Sequence, residues 1–204
     1  MAKAPVPGRA KTRLEPLLGP AGCARLQAEL IRHTAATAER AAPGAVFVAC
    51  AGPAELVAPL VGAATLFPQC EGDLGERMAA AVAHVHALRA APVVLVGTDC
   101  PVLGEEHLAA AAEGLAGGVD VVFGPARDGG YYLVALATPR PAAFAIPPSC
   151  WGGPDMLARS LDAAAAAGLT VALIGPEHDL DTPADAAALA ADPRVPRAVT
   201  GLLT

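Results

Sequence analysis

The sequence predicts an α/β protein in which short buried strands alternate with alanine-rich helices around a mostly parallel sheet. Three observations predict it. Short apolar runs bounded by glycine and proline alternate with longer helix-forming stretches, which is the order of a βαβ protein. The chain is 54% hydrophobic but only 3% aromatic, a mix that suits packed alanine helices better than a β-sandwich. Its 204 residues are enough for one domain to bury a core without disulfides, so a single domain over residues 1–204 is expected.

Strands are expected at residues 45–50, 92–97, 119–123, 131–136 and 169–174. Residues 45–50 (AVFVAC) form an apolar run between Pro43-Gly44 and Gly52-Pro53. Residues 92–97 (PVVLVG) carry the strongest strand pattern. Helices are expected at residues 20–41, 74–88, 105–115, 154–167 and 183–191. For the last of these, Thr182 is a good N-cap, Pro183 fits the first helical position and Asp185 completes a capping box. Residues 139–154, rich in proline and glycine, read as a surface loop or lid. A phosphate loop in an α/β protein ordinarily follows a strand. Here only Met1 precedes the N-terminal loop, so the first strand reads as absent or truncated.

Charge and hydropathy narrow the function classes. A net charge of −6 argues against general nucleic-acid binding, which needs a basic face. Mean hydropathy is +0.45, yet the longest charge-free stretch, residues 56–70, has 15 residues and contains Pro59, Gly62 and Pro68. A spanning helix needs roughly 20 apolar residues, so no membrane insertion is expected. Met1 is followed by no apolar signal region, and a cytoplasmic protein is expected. Five widely spaced cysteines without a C-x-x-C pair predict free thiols rather than a zinc site or disulfide framework.

Against that acidic background the first thirteen residues stand out. Lys3, Arg9, Lys11 and Arg13 place four positive charges before the first acid, Glu15. Pro5, Pro7 and Gly8 bend and stiffen the backbone so that amides and cations can converge on an anion. The G-x-x-x-x-G-K spacing of a Walker loop is absent. Gly97-Thr98-Asp99-Cys100-Pro101 follows the strongest strand. An aspartate there lies where α/β sheets bind ligands, and it suits a divalent cation on a diphosphate. After the last strand, Asp179 or Asp181 is available as a second carboxylate, because neither is needed for the Thr182 cap, and His178 is a weaker candidate ligand.

Two glycine-rich loops add candidates. Residues 69–77 lead into a helix whose N-terminus can face an anion, with Gly75 inside its first turn and Arg77 adding charge. Asp128-Gly129-Gly130 has the composition of a tight hairpin turn; it also lets an acceptor or sugar approach the backbone, with Asp128 bonding its hydroxyls. Trp151, the only tryptophan, reads either as an acceptor wall or as an apolar staple for the helix that follows.

Taken in order, the segments beginning at Lys3, Gly72, Gly97, Asp128 and Asp179 resemble the bacterial DUF2064 family, which is glycosyltransferase-like. That family in turn is similar to the GT-A superfamily of nucleotide-diphospho-sugar transferases. The resemblance covers nearly the whole chain. It implies a Rossmann-like GT-A fold and a nucleotide site built from Lys3, Pro5, Gly8, Arg9, Lys11, Thr12, Arg13, Gly75, Arg77, Thr98 and Asp99. It implies Mg²⁺ or Mn²⁺ on Asp99 and Asp181. Asp99, Lys11 and Asp128 are the expected catalytic residues, and Asp128, Gly129, Gly130 and Trp151 the expected acceptor or sugar contacts.

The implied reaction is metal-dependent transfer of a sugar from a nucleotide-diphosphate sugar to a small-molecule acceptor. Two other readings use the same residues. One is nucleotidyl transfer from an NTP to a phosphorylated acceptor, with pyrophosphate leaving; the other is an inactive nucleotide-binding module.

Overall fold

The computed structural model describes residues 1–203. Contacts gather the chain into two compact units, each discontinuous in sequence. The first comprises Met1–Pro68, Gly97–Glu105 and the chain from His178 onward; the second comprises Gln69–Val96 and Glu106–Glu177.

The first unit is built on a parallel sheet of order β1-β2-β3, with β1 at Ala2–Lys3, β2 at Phe47–Ala51 and β3 at Thr65–Pro68. The first strand is therefore present as two residues, Ala2 opposite Cys50 and Lys3 opposite Ala51. Helix α1 (Glu15–Ala41) buries Cys23, Leu26, Gln27, Leu30, Ile31 and Thr34, the three-and-four spacing of one helical face. Gly19, at φ 63°, interrupts its helical geometry just before Pro20, where the sequence places the helix start. Ile31 and Ala35 pack with Ala2, Ala4, Val48, Cys50, Val57 and Val61 in one apolar cluster. Two shorter helices, α5 (Pro183–Ala190) and α6 (Arg197–Leu203), complete the unit, and α6 packs on α1. The capping box of Thr182 and Asp185 that opens α5 forms as expected.

The second unit holds a mixed sheet of order β4-β6-β5-β7. Its strands are β4 (Val93–Val96), β5 (Val121–Pro125), β6 (Tyr131–Leu136) and β7 (Val171–Leu173). β6 is antiparallel to both β4 and β5, and β7 is parallel to β5. The antiparallel strand follows from the Asp128-Gly129-Gly130 turn, too short for the crossover that parallel neighbours need. All six residues of β6 are buried, which explains its continuous apolar run. Helices α2 (Leu74–Arg89), α3 (Glu105–Ala116, its first residue lying in the first unit) and α4 (Met156–Ala166) accompany this sheet. The α/β class is as predicted, with parallel pairing throughout the first sheet and one antiparallel strand in the second. Two elements, β3 and α6, were not expected from the sequence.

Candidate functional site

The N-terminal segment is tied down rather than frayed. Ala2, Ala4, Ala10 and Leu14 are buried, while Lys3, Pro7, Gly8, Arg9, Thr12 and Arg13 are exposed. The Ala4 amide donates to Ala51 O at 2.8 Å, and the amides of Arg9 and Ala10 both donate to Val6 O, at 3.0 and 3.2 Å. Apolar anchors thus hold a loop whose cations and glycine remain accessible. Pro5 is half-buried at the start of this turn, and Gly8 takes φ 74° within it.

Lys11 differs from its neighbours. Its backbone is left-handed, with φ 52°, a conformation that costs a non-glycine residue about 1–2 kcal/mol. Its side chain is only 4% exposed. The ammonium lies 2.5 Å from Asp99 Oδ1 and donates to Asp181 Oδ1 at 2.9 Å and to Leu180 O at 2.7 Å. Burial alone would lower the pKa of this amine. The attraction of Asp99 and then of Asp181, with the hydrogen bonds to both, outweighs burial and holds it above the ordinary lysine range. Lys11 is therefore a cation at any physiological pH. Arg13, 67% exposed, approaches the other oxygen of Asp181 at 3.8 Å. Exposure of this second pair makes it weak.

The loop that presents Asp99 is clamped along α1. Gln27, 3% exposed, donates through Nε2 to Thr98 Oγ1 at 3.1 Å and to Lys3 O at 3.2 Å. His33 Nε2 lies 3.0 Å from Leu103 O, so the carbonyl acceptor requires this nitrogen to carry the proton. Arg40 reaches Glu105 at 2.6 Å. Across the loop, the Leu180 amide donates to Asp99 O at 2.7 Å. Asp99 and Asp181 are thereby fixed relative to each other by a backbone hydrogen bond one residue from the second carboxylate.

The structure brings together Lys11, Asp99, Asp181, Arg13 and Thr98, with Lys3 joined to them through Gln27. Pro5, Gly8, Arg9 and Thr12 lie on the same N-terminal loop, and Gly75, Arg77, Asp128, Gly129, Gly130 and Trp151 belong to the second unit. Gly75 lies in the first turn of α2, where a Cβ would fall 2.4 Å from Trp151 Cζ2 and 2.7 Å from Phe144 O. Trp151 therefore packs directly on the helix start, and its indole nitrogen is buried without a hydrogen-bond partner among the described residues. Asp73 and Glu76 form the capping box of this helix, so two acids stand at its N-terminus. Arg77 donates to Asp73 O and to Gln69 Oε1, at 3.2 and 3.3 Å. Asp128 accepts from the Gly130 amide at 2.9 Å, the bond of an Asx turn. Gly129, at φ 94°, lies where a Cβ would come within 1.9 Å of Pro154 O.

Sequence reasoning missed two participants. Gln27 is a lone polar residue among buried apolar positions of α1, four residues from Cys23 and from Ile31, and that placement is its only sequence signal. Leu180 acts through its carbonyl, which leaves no signal in side-chain identity.

The donor set around Lys11 Nζ consists of two carboxylate oxygens and one carbonyl oxygen, hard ligands of the kind that suit Mg²⁺ or Mn²⁺. Among the described residues no group of three or more His, Cys, Asp and Glu side chains is placed to hold a metal. A divalent cation here would thus complete its shell with the carbonyl, water and ligand oxygens, the habit of Mg²⁺ at phosphate sites. The residues fit such a cation. Among the described residues no helix is long and apolar enough to cross a membrane.

Comparison with known proteins gives a family and a structural neighbour. The family model described as "Uncharacterized protein conserved in bacteria (DUF2064)" matches residues 23–149. A crystal structure described as a "putative nucleotide-diphospho-sugar transferase" from Desulfovibrio desulfuricans G20 superposes with a TM-score of 0.82 and 28% identity. The match covers 99% of this chain and 90% of that one. Among curated proteins none matches.

Proposed function

The chain belongs to the bacterial DUF2064 family, and on that premise we propose that it transfers a sugar from a nucleotide-diphosphate donor to a small-molecule acceptor. One observation carries the reading: Lys11, Asp99 and Asp181 meet at the end of a basic, solvent-facing loop. The likeness to the Desulfovibrio protein supports the donor class.

In this reading Asp99 and Asp181 hold Mg²⁺ or Mn²⁺, which when bound neutralises charge on the leaving diphosphate. Arg9, Arg13 and Lys3 supply exposed cations to the phosphates. Pro5, Gly8 and Thr12 shape the backbone that receives them. Gln27 holds Thr98 and the Lys3 carbonyl together, so the loop is organised before the donor arrives; such preorganisation is the largest electrostatic contribution open to a transferase. Gly75 and Arg77 at the start of α2 are assigned to the nucleotide as well. Acceptor or sugar contacts are assigned to Asp128, Gly129, Gly130 and Trp151. The Gly130 amide fixes the direction of the Asp128 carboxylate, which then orients the acceptor hydroxyl or takes its proton.

The test is incubation with a panel of nucleotide-diphosphate sugars and NTPs, each with Mg²⁺ or Mn²⁺, while NDP and pyrophosphate are measured separately. The expected result is NDP release that rises with an acceptor. Asp99→Asn should lower kcat by roughly 10²–10³-fold, the usual effect of removing one transition-state charge stabiliser. Pyrophosphate release from an NTP would replace sugar transfer by nucleotidyl transfer. Nucleotide binding with no turnover across the panel would sink the enzymatic reading.

A further inference from the structure

Resting on the reading of Asp99 and Asp181 as cation holders, we propose that Lys11 is the resident counter-ion of this site. Its ammonium and a divalent cation are alternative occupants of the same three oxygens, and arrival of the metal releases Lys11 toward the donor phosphates.

Coordination supports the exchange. Asp99 Oδ1, Asp181 Oδ1 and Leu180 O converge on Lys11 Nζ at 2.5, 2.9 and 2.7 Å. An ammonium with three donors meets three oxygens, which is how a lysine imitates a small hard cation. Residue choice supports it as well. The chain contains two lysines and twelve arginines. One lysine is the exposed Lys3, and the other occupies this cradle while Arg9 and Arg13 on either side are exposed. A planar guanidinium fork cannot collect three oxygens at one point, whereas an ammonium is a compact point charge on a flexible stem.

Charge acts in the same direction. Two carboxylates and one ammonium leave the cradle with a net charge of −1, still attractive to a divalent cation. Both cations cannot occupy one point: the three oxygens converge where the Lys11 ammonium already lies. Metal entry therefore requires Lys11 to leave, and the displaced cation needs an anion. A diphosphate provides one at the adjoining basic loop. Metal and diphosphate are thus coupled ligands, each favouring the other through the position of a single side chain.

The test uses Mn²⁺ alone. Its binding is followed by electron paramagnetic resonance for the intact protein, Lys11→Met, Arg13→Met and the double variant Lys11→Met/Asp99→Asn. Lys11→Met should bind Mn²⁺ at least ten-fold more tightly than the unmodified protein. Arg13→Met removes the same charge from the exposed rim and should change affinity less than three-fold. The double variant should lose the gain.

A second arm needs no variant. With only two lysines present, acetylation read by mass spectrometry reports Lys11 against Lys3 as an internal reference. Lys11 should label at least ten times more slowly than Lys3 without metal, and excess Mn²⁺ should raise its rate. Mn²⁺ affinity unaltered in a folded Lys11→Met, or Lys11 labelling unaltered by Mn²⁺, overturns the exchange. If both arms succeed but no nucleotide-diphosphate sugar is consumed, the transferase reading fails and the exchange stands.

Discussion

Gln27 has no charge and belongs to no motif, yet its amide joins the Lys3 carbonyl to Thr98 inside the protein. Replacing it by leucine keeps the volume and removes both donors. The two acceptors are then left buried, so Gln27→Leu should cost about 2 kcal/mol in urea unfolding, within the roughly 1–3 kcal/mol of an unsatisfied buried polar group. A loss below about 0.5 kcal/mol would show that water replaces the amide. His33 gives the residue scale its pH dependence. Burial is the main influence lowering its pKa below the ordinary 6.5; the Leu103 carbonyl opposes this and Arg40 adds to it. Above pH 6.5 the folded and unfolded chains both hold this histidine neutral. As pH falls below 6.5 the unfolded chain takes the proton first, so stability from this group declines until the folded pKa is passed. Urea midpoints should therefore fall from pH 7 to pH 5, and fall less in His33→Gln; parallel declines in the two proteins would remove His33 as the cause. Of the site itself, Lys11, Asp99 and Asp181 were legible because charge density and position after a strand are written in side-chain identity. Gln27 and the Leu180 carbonyl were not, since their importance comes from what the fold brings beside them.

At the scale of elements, the turn between β5 and β6 offers a controlled comparison. Gly129 and Gly118 have nearly equal positive φ, 94° and 95°, but a Cβ on Gly129 would meet Pro154 O at 1.9 Å while one on Gly118 would meet nothing within 4 Å. Alanine at either position carries the same backbone cost of about 1–2 kcal/mol for a Cβ at positive φ, and only Gly129→Ala adds a collision with main chain. Gly129→Ala should lose roughly 3 kcal/mol or more, as severe overpacking does, and Gly118→Ala about 1–2 kcal/mol. Equal losses in thermal unfolding would show that the Pro154 segment moves aside. The same contrast explains which elements could be read ahead. β6 matched its expected bounds, residues 131–136, because its apolar run is continuous and a glycine turn sits before it. α5 began after its expected capping residue Thr182, and α2 began at the expected residue 74. β3 has four residues, none fully buried, and α6 has seven, following Pro193 and Pro196. Segments so short owe their structure to pairing or packing with a distant partner rather than to their own pattern.

For the whole molecule, fold class and family were legible because five short motifs occur in a fixed order along the chain. The partition into units was not. The chain passes from one unit to the other after Pro68, Val96, Glu105 and Glu177, and local sequence carries no mark of those passages because they are defined by long-range contacts. One consequence concerns the order in which the protein is made. Lys11 and Asp181 are separated by 170 positions, so the lysine is synthesised long before its second carboxylate exists. Asp99 appears midway, and the Leu180 carbonyl arrives only with Asp181. A nascent chain can pair β1 with β2 early, from neighbouring stretches, but the cradle around the ammonium waits until nearly the whole message has been read. Closing such a distant pair late is intrinsically slow. A ribosome that stops before residue 180 therefore leaves a chain with its basic loop and Asp99 already made and nothing yet to complete the cation's cage.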